Sequence, residues 1–447
     1  MNRFACRCML AAATMMAGGW GLALAAVQRD SLPNGLIVLT YETARLPMVD
    51  LALVCRSGSE FDPEGKAGLA NLTAAMLVNG SRAMSPDSVE AITQAMGTEF
   101  SGSAVFDQSD LSLRVLSEDM EQGLSLLADA GRYPRFDSAR LETTRDGVRS
   151  GAGQSLDMAT VRVDCEFRRI LFPHHPYGQP EDGDTVSLAG LKRDDLIRFY
   201  AAHYVPNNCF LVAVGDLRRE DFLNRVRALF GDWQPGPVPT LSITDPEFPS
   251  RMKVKLISRP DLNQTAIQLG HPGIARSNPD WLATRIGAYI LGGGPSSRLA
   301  ERVREKAGLA YIVHASFDDC KYPGAFQAWL QTSKPKEAIA LLSEVIRATR
   351  DSGVTQAELA STQSFITGSF LISLASNQGK LDRVIEIENY RLGLDWIDRY
   401  PALVRELSLS EVNRSLRTHL NPGHYVLVVM GNVTRDDLGL TDVEWVE

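Results

Sequence analysis

The run of apolar and polar positions along this chain sketches one set of elements and then sketches it again. Leu36–Tyr41 is a short apolar run, and Met48–Arg56 is almost continuously apolar around VDLALVC, as a strand buried on both faces requires. Pro63–Val78 reads as a helix, with Leu69, Leu72, Met76 and Leu77 forming an apolar stripe. Ser85-Pro86 opens a second helix, Ser as N-cap and Pro in the first turn, which runs to Met96 and stops at Gly97. Phe100–Val105 and Leu111–Leu116 follow as paired strands, and Leu111, Leu113 and Val115 alternate with polar residues. Glu118–Ala130 is a helix. From Lys253 the outline recurs: strands Lys253–Ser258 and Thr265–Leu269, helix Pro279–Leu291, strands Ala310–Asp318 and Gly324–Thr332, and helix Pro335–Asp351.

The recurrence extends to individual residues. HYVPNNCFLVAVGDLRREDF (His203–Phe222) aligns without a gap on HLNPGHYVLVVMGNVTRDDL (His419–Leu438). His203 meets His419, Pro206 meets Pro422, Gly215 meets Gly431 and Asp221 meets Asp437. Each copy ends a helix at a Pro-containing turn, runs an apolar strand into Gly, and starts an acidic helix. Gln234-Pro-Gly-Pro-Val-Pro239 between them can hold neither a helix nor a central strand. The chain therefore divides into homologous halves, 27–233 and 251–447, joined by a linker, 234–250. Strands in runs with helices beside them predict an α+β fold, each half an antiparallel-rich sheet with helices packed on one side.

Composition adds where the chain goes. Arg3 and Arg7 precede an uncharged stretch, Met9–Ala26, that ends in Ala23-Leu24-Ala25. That is an export signal, residues 1–25, with cleavage after Ala25; the alternative is a retained membrane anchor, since the run is just long enough to span. The expected location is periplasmic or otherwise exported. A formal net charge of −8 argues against nucleic acid as a partner. Cys6 and Cys8 leave with the signal, and Cys55, Cys165, Cys209 and Cys320 are too scattered for a C-x-x-C site. An oxidising compartment permits disulfides, but the spacing dictates no pairing, and buried free thiols are the reading for most. Of the histidines, adjacent His174 and His175 sit in a Pro-flanked turn that does not let them converge on one ion, and His203 and His419 read as helix C-terminal caps.

Candidate chemistry centres on GLANLTAAMLVNG (Gly68–Gly80). An H-x-x-E-H helix sets two zinc-binding His and a general-base Glu on one face. Gly68–Leu77, with Arg56-Ser57-Gly58-Ser59 and Asp62 before it and Asn79-Gly80-Ser81 after it, resembles the zinc helix of the pitrilysin/insulinase (inverzincin) metallopeptidases, which reads roughly G-L-A-H-x-x-E-H-M-L. The resemblance puts the first His on Asn71, the Glu on Ala74 and the second His on Ala75, so all three are lost. The family's further glutamate ligand would fall in Arg145–Ser155, where no carboxylate lies between Asp146 and Asp157. Neither Asn nor Ala sustains a zinc site, so no metal or other cofactor is expected in this chain.

One motif of the same family persists. Gly292–Val313, with its Arg-Glu-Lys-Ala-Gly-Leu-Ala-Tyr core, reads as a turn, a helix over Ser297–Ala307 and a strand from Ala310. The resemblance makes Arg304 and Tyr311 the pair that reaches the zinc site of an opposing half or subunit, with Arg298 and Arg302 as neighbouring alternatives. A guanidinium and a phenol can hold a substrate carbonyl and a developing oxyanion. The family fold is half of a clam-like chamber. The resemblance thus implies a non-catalytic, substrate-binding subunit of a heterodimeric zinc peptidase acting on peptides or unfolded segments. Its partner would be a homologous chain with intact H-x-x-E-H that carries the zinc; a homodimer is the other assembly. The alternative function is a catalytically inert structural or peptide-binding protein of the same fold.

Overall fold

The computed structural model describes residues 27–447, so the export segment lies outside the described residues. Twelve strands form two sheets of six. The first half contributes β1 (Gln28–Ser31), β2 (Ile37–Glu42), β3 (Met48–Cys55), β4 (Phe100–Ala104), β5 (Ser109–Leu116) and β6 (Cys209–Gly215). The second contributes β7 (Lys253–Ser258), β8 (Thr265–Pro272), β9 (Val313–Phe317), β10 (Ala325–Thr332), β11 (Val426–Gly431) and β12 (Glu444–Val446). The orders are β1-β2-β6-β3-β5-β4 and β12-β7-β11-β8-β10-β9. Five strands correspond one to one; the sixth position is filled from opposite ends of the chain. β1 pairs antiparallel with β2, and β12 pairs parallel with β7.

The repeated segment builds the middle of each sheet. Helix Arg193–His203 leads through the Pro206 turn into β6 and on to helix Arg219–Phe230; helix Leu409–His419 leads into β11 and helix Arg435–Leu438. The repeated glycine has a steric cause. A Cβ on Gly215 would stand 2.1 Å from the Met48 carbonyl on neighbouring β3. The repeated histidines do not cap their helices. His203 Nδ1 shares a hydrogen bond with Ser57 Oγ at 2.9 Å, and His419 Nε2 meets Asp280 Oδ2 at 3.1 Å. Burial pushes the His203 imidazole down to about 4, so it is neutral at pH 7.

Each half packs its own helices on one face of its sheet, and the other face takes a helix from the opposite half. Helix Ala159–Leu171 lies on β8 and β11, and helix Asn377–Tyr390 lies on β3 and β6. Val163, Phe167 and Leu171 fit among Ala266, Val426 and Val428. Leu381, Val384 and Ile387 fit among Ala52, Val54, Phe210 and Val212. Both exchanged helices carry ion pairs across the join, each with a largely buried carboxylate. Glu388 accepts from Arg29 Nε at 2.9 Å and from Arg56 Nη2 at 2.5 Å. Arg168 donates to Asp318 at 2.9 and 3.3 Å. Burial raises the Glu388 carboxyl, but its bonds to Arg29 and Arg56 outweigh this and hold it below the usual range.

Element boundaries differ from expectation at glycines. The helix expected over Pro63–Val78 spans only Leu69–Leu77, preceded by a short 3-10 turn, Ser59–Phe61. Gly68 enters it at φ 85°, a left-handed conformation that breaks the run. The helix expected over Ser297–Ala307 is helical from Arg298 to Lys306, but with wide π-type winding over Ala300–Lys306, and β9 starts at Val313 instead of Ala310.

Candidate functional site

Asp62 holds the start of helix Leu69–Leu77. Its Oδ2 accepts the Gly68 N–H and its Oδ1 the Ala70 N–H, each at 2.8 Å. Burial pushes this carboxyl up against those bonds, to about 7. The helix packs on β4, on helix Ser138–Asp157 and on helix Arg193–His203. Asn71 is tied into the fold. Its Nδ2 donates to Asp182 Oδ1 at 3.1 Å, and its Oδ1 accepts the Ala104 N–H on edge strand β4 at 3.3 Å. Ala74 is 0% exposed and Ala75 is half-buried. Across from them, Ala152 on helix Ser138–Asp157 joins the apolar cluster of Leu69 and Leu72.

These residues do not fit a zinc ion. One amide is the sole donor of the three positions, it is already hydrogen-bonded on both sides, and the facing helix is apolar there. Among the described residues, no group of three His, Cys, Asp or Glu side chains could hold a metal. Restoring the general base alone should be costly. Ala74→Glu is expected to lower unfolding free energy by about 3 kcal/mol, because an ionised carboxylate would be buried without a partner. Ala75→His, at a half-buried position, should cost under about 1 kcal/mol. Urea titrations of both variants measure this. An Ala74→Glu protein as stable as its parent would mean that this face opens to water.

Arg304 and Tyr311 lie on the surface of the second half. Tyr311 is 83% exposed, unlike a core aromatic, and its hydroxyl makes no hydrogen bond to another described residue. Arg304 Nη2 touches only the Pro295 carbonyl at 3.2 Å and its neighbour Glu305 at 3.1 Å. Arg298 is committed to Glu358 at 2.6 and 2.8 Å, and Arg302 to Glu344 at 3.0 Å. Of the three arginines, Arg304 alone has no partner among the described residues outside its own segment and the preceding loop. It lines an open cleft of about 640 Å³ with Tyr289, Ser296, Thr362 and Phe365. Tyr289 and Phe365 stack there at 5.3 Å between ring centroids. Sequence reasoning did not single these two out; the signal for Phe365 was a set of large apolar residues, with Leu371 and Ile372, that helix Gln356–Ser373 leaves exposed.

Residues 37–163 match the family model described as Insulinase (Peptidase family M16), and residues 190–365 match the Peptidase M16 inactive domain. A solved peptidase M16 inactive domain from Pseudomonas fluorescens is 30% identical, with a TM-score of 0.84, and covers 91% of this chain and 98% of its own. The chain belongs to the M16 peptidase family. It is an M16 member without the zinc helix residues. An uncharacterized zinc protease of Rickettsia bellii is 27% identical over 343 residues, 75% of this M16 chain and 81% of the relative. The non-peptidase homolog YmxG of Helicobacter pylori is 22% identical over 421 residues, 93% and 96% of the two chains.

Proposed function

We propose that this M16 chain is the non-catalytic, substrate-binding subunit of an exported two-chain zinc metallopeptidase, periplasmic once its signal is cleaved. It acts with a homologous chain that carries H-x-x-E-H and the zinc, on peptides or unfolded segments. The observation that carries the reading is selective loss: Asn71, Ala74 and Ala75 have replaced the zinc residues, while Arg304 and an 83% exposed Tyr311 remain without a strong structural partner. The partner's metal would polarise the scissile carbonyl and its bound water. Arg304 and Tyr311 supply charge and a hydroxyl donor to the oxygen on which negative charge builds. Edge strand β9 begins just after Tyr311 and Ile312, so a peptide added along that edge would run past the tyrosine.

The test is peptidase assay of this chain, of the proposed H-x-x-E-H partner, and of the mixture. Activity only in the mixture is expected. A fully active partner alone, or an inert mixture with no complex on gel filtration, overturns the proposal. The second outcome favours the other reading, a structural or peptide-binding protein, to which the relative named a non-peptidase homolog lends support.

A further inference from the structure

Cys55 ends β3 and Cys209 begins β6, and the two are directly opposed in the antiparallel register. Hydrogen bonds flank the pair. The Arg56 N–H donates to the Asn208 carbonyl at 3.0 Å, and at the far end of the ladder the Asp216 N–H donates to the Met48 carbonyl at 3.0 Å. Bonded and non-bonded pairs alternate along such a ladder, so Cys55 and Cys209 occupy a non-hydrogen-bonded pair. There, Cα atoms stand about 4.5 Å apart and side chains come closest. Disulfides span Cα separations of about 4.4–6.8 Å. Both side chains point into the same apolar cluster, on the same face of the sheet.

The second half repeats the position with different residues. There the opposed pair is His271 and Tyr425, whose rings stack at 6.0 Å. The register therefore brings side chains together in both halves, and two cysteines at it are a property of this sequence and not of the repeat. Cys55 Sγ donates to the His203 carbonyl at 3.3 Å, but that carbonyl also accepts from Asn208 Nδ2 at 2.9 Å. Losing the thiol proton leaves it paired.

We propose that Cys55 and Cys209 close a disulfide that staples β3 to β6 when the chain folds in an oxidising compartment. One thiolate attacks a donor disulfide, small-molecule or protein-borne, to form a mixed disulfide and release one donor thiol. The second protein thiolate then attacks the mixed disulfide and releases the other. Two S–H groups are lost, one S–S bond forms, and the donor is reduced to two thiols. The folded sheet is closed to this reaction: burial and the adjacent Cys55 thiol hold Cys209 protonated, and neither residue is exposed. The bond forms while the strands are still assembling. It closes a loop that contains most of the first half, and longer loops gain more from closure.

The proposal depends on the export reading only for where the bond forms in the cell. The mature chain is unfolded with reductant, refolded in a glutathione redox buffer, alkylated and digested with trypsin. Expected is peptide Leu46–Arg56 joined to Phe199–Arg218, lighter by two hydrogens than the separate peptides. Cys55→Ser should abolish the cross-link and lower the melting midpoint of the oxidised protein by several degrees, whereas Cys165→Ser should leave both unchanged. Alkylated Cys55 and Cys209 after refolding, or their linkage to Cys165 or Cys320, overturns the proposal. The same map is made on protein recovered from cells. The bond in refolded protein, with reduced cysteines and residues 1–25 retained in cellular protein, supports the disulfide and overturns export.

Discussion

Tyr311→Phe is expected to cut turnover of the proposed two-chain peptidase by about 10²–10³-fold, the cost of removing one donor to a developing oxyanion. The loss should fall on kcat with little change in KM, since the bond matters only where charge has built up. Thermal stability should not change. At 83% exposure, with no hydrogen bond to a described residue, the hydroxyl contributes nothing to this subunit's fold. Arg304→Ala should follow the same split, because its contact with Glu305 is an exposed ion pair worth under about 1 kcal/mol. Arg298→Ala should do the reverse and lower stability by breaking the bidentate pair with Glu358. Steady-state kinetics of the reconstituted pair, with melting curves of each variant subunit, separates these cases. Unchanged turnover for Tyr311→Phe would end the assignment of this residue.

Arg168→Met is expected to cost about 3 kcal/mol, the low end for breaking a buried ion pair from one side. Arg168 sits on the helix that the first half lends to the second-half sheet, over the Phe106 ring at 5.5 Å. It meets both Asp318 and Asp164. The Asp318 side chain is 9% exposed, so loss of the guanidinium leaves a carboxylate that water barely reaches. Asp318 keeps the Ala325 N–H at 3.0 Å and Gln327 Nε2 at 2.8 Å, which sets the estimate at the low end. Methionine retains the apolar stem, so the change isolates the charge. Urea unfolding at pH 7 measures it, and a loss within about 0.5 kcal/mol would mean that packing of Phe167 and its neighbours holds the halves together without the ion pair.

Much of this fold is legible in the sequence. Period-two and continuous apolar runs marked most of the central strands, since a strand's side chains must alternate between layers or be buried on both. The gapless match of Pro206–Gly215 with Pro422–Gly431 marked the halves, because a Pro turn and a glycine pressed against the neighbouring strand recur in each. Boundaries were less legible: Gly68 delays the start of a helix expected from Pro63, and π-type winding replaces the regular α-helix around Arg304.

The sequence by itself determined that this is an M16-type chain of two related halves, that Asn71, Ala74 and Ala75 stand where H-x-x-E-H would place its zinc residues, and that Arg304 and Tyr311 stand in the motif that resembles the family's. Those are statements about residue identity and local spacing, which the chain carries in order. Only the tertiary structure decided that helices Ala159–Leu171 and Asn377–Tyr390 exchange sheets, that Tyr311 faces solvent, that Arg304 is less committed than Arg298 or Arg302, and that Cys55 stands opposite Cys209. Each of these depends on how segments far apart in the chain come together. An amphipathic helix shows that it has an apolar face, but not which of two similar sheets will cover it, and a strand shows its faces but not its neighbour's register.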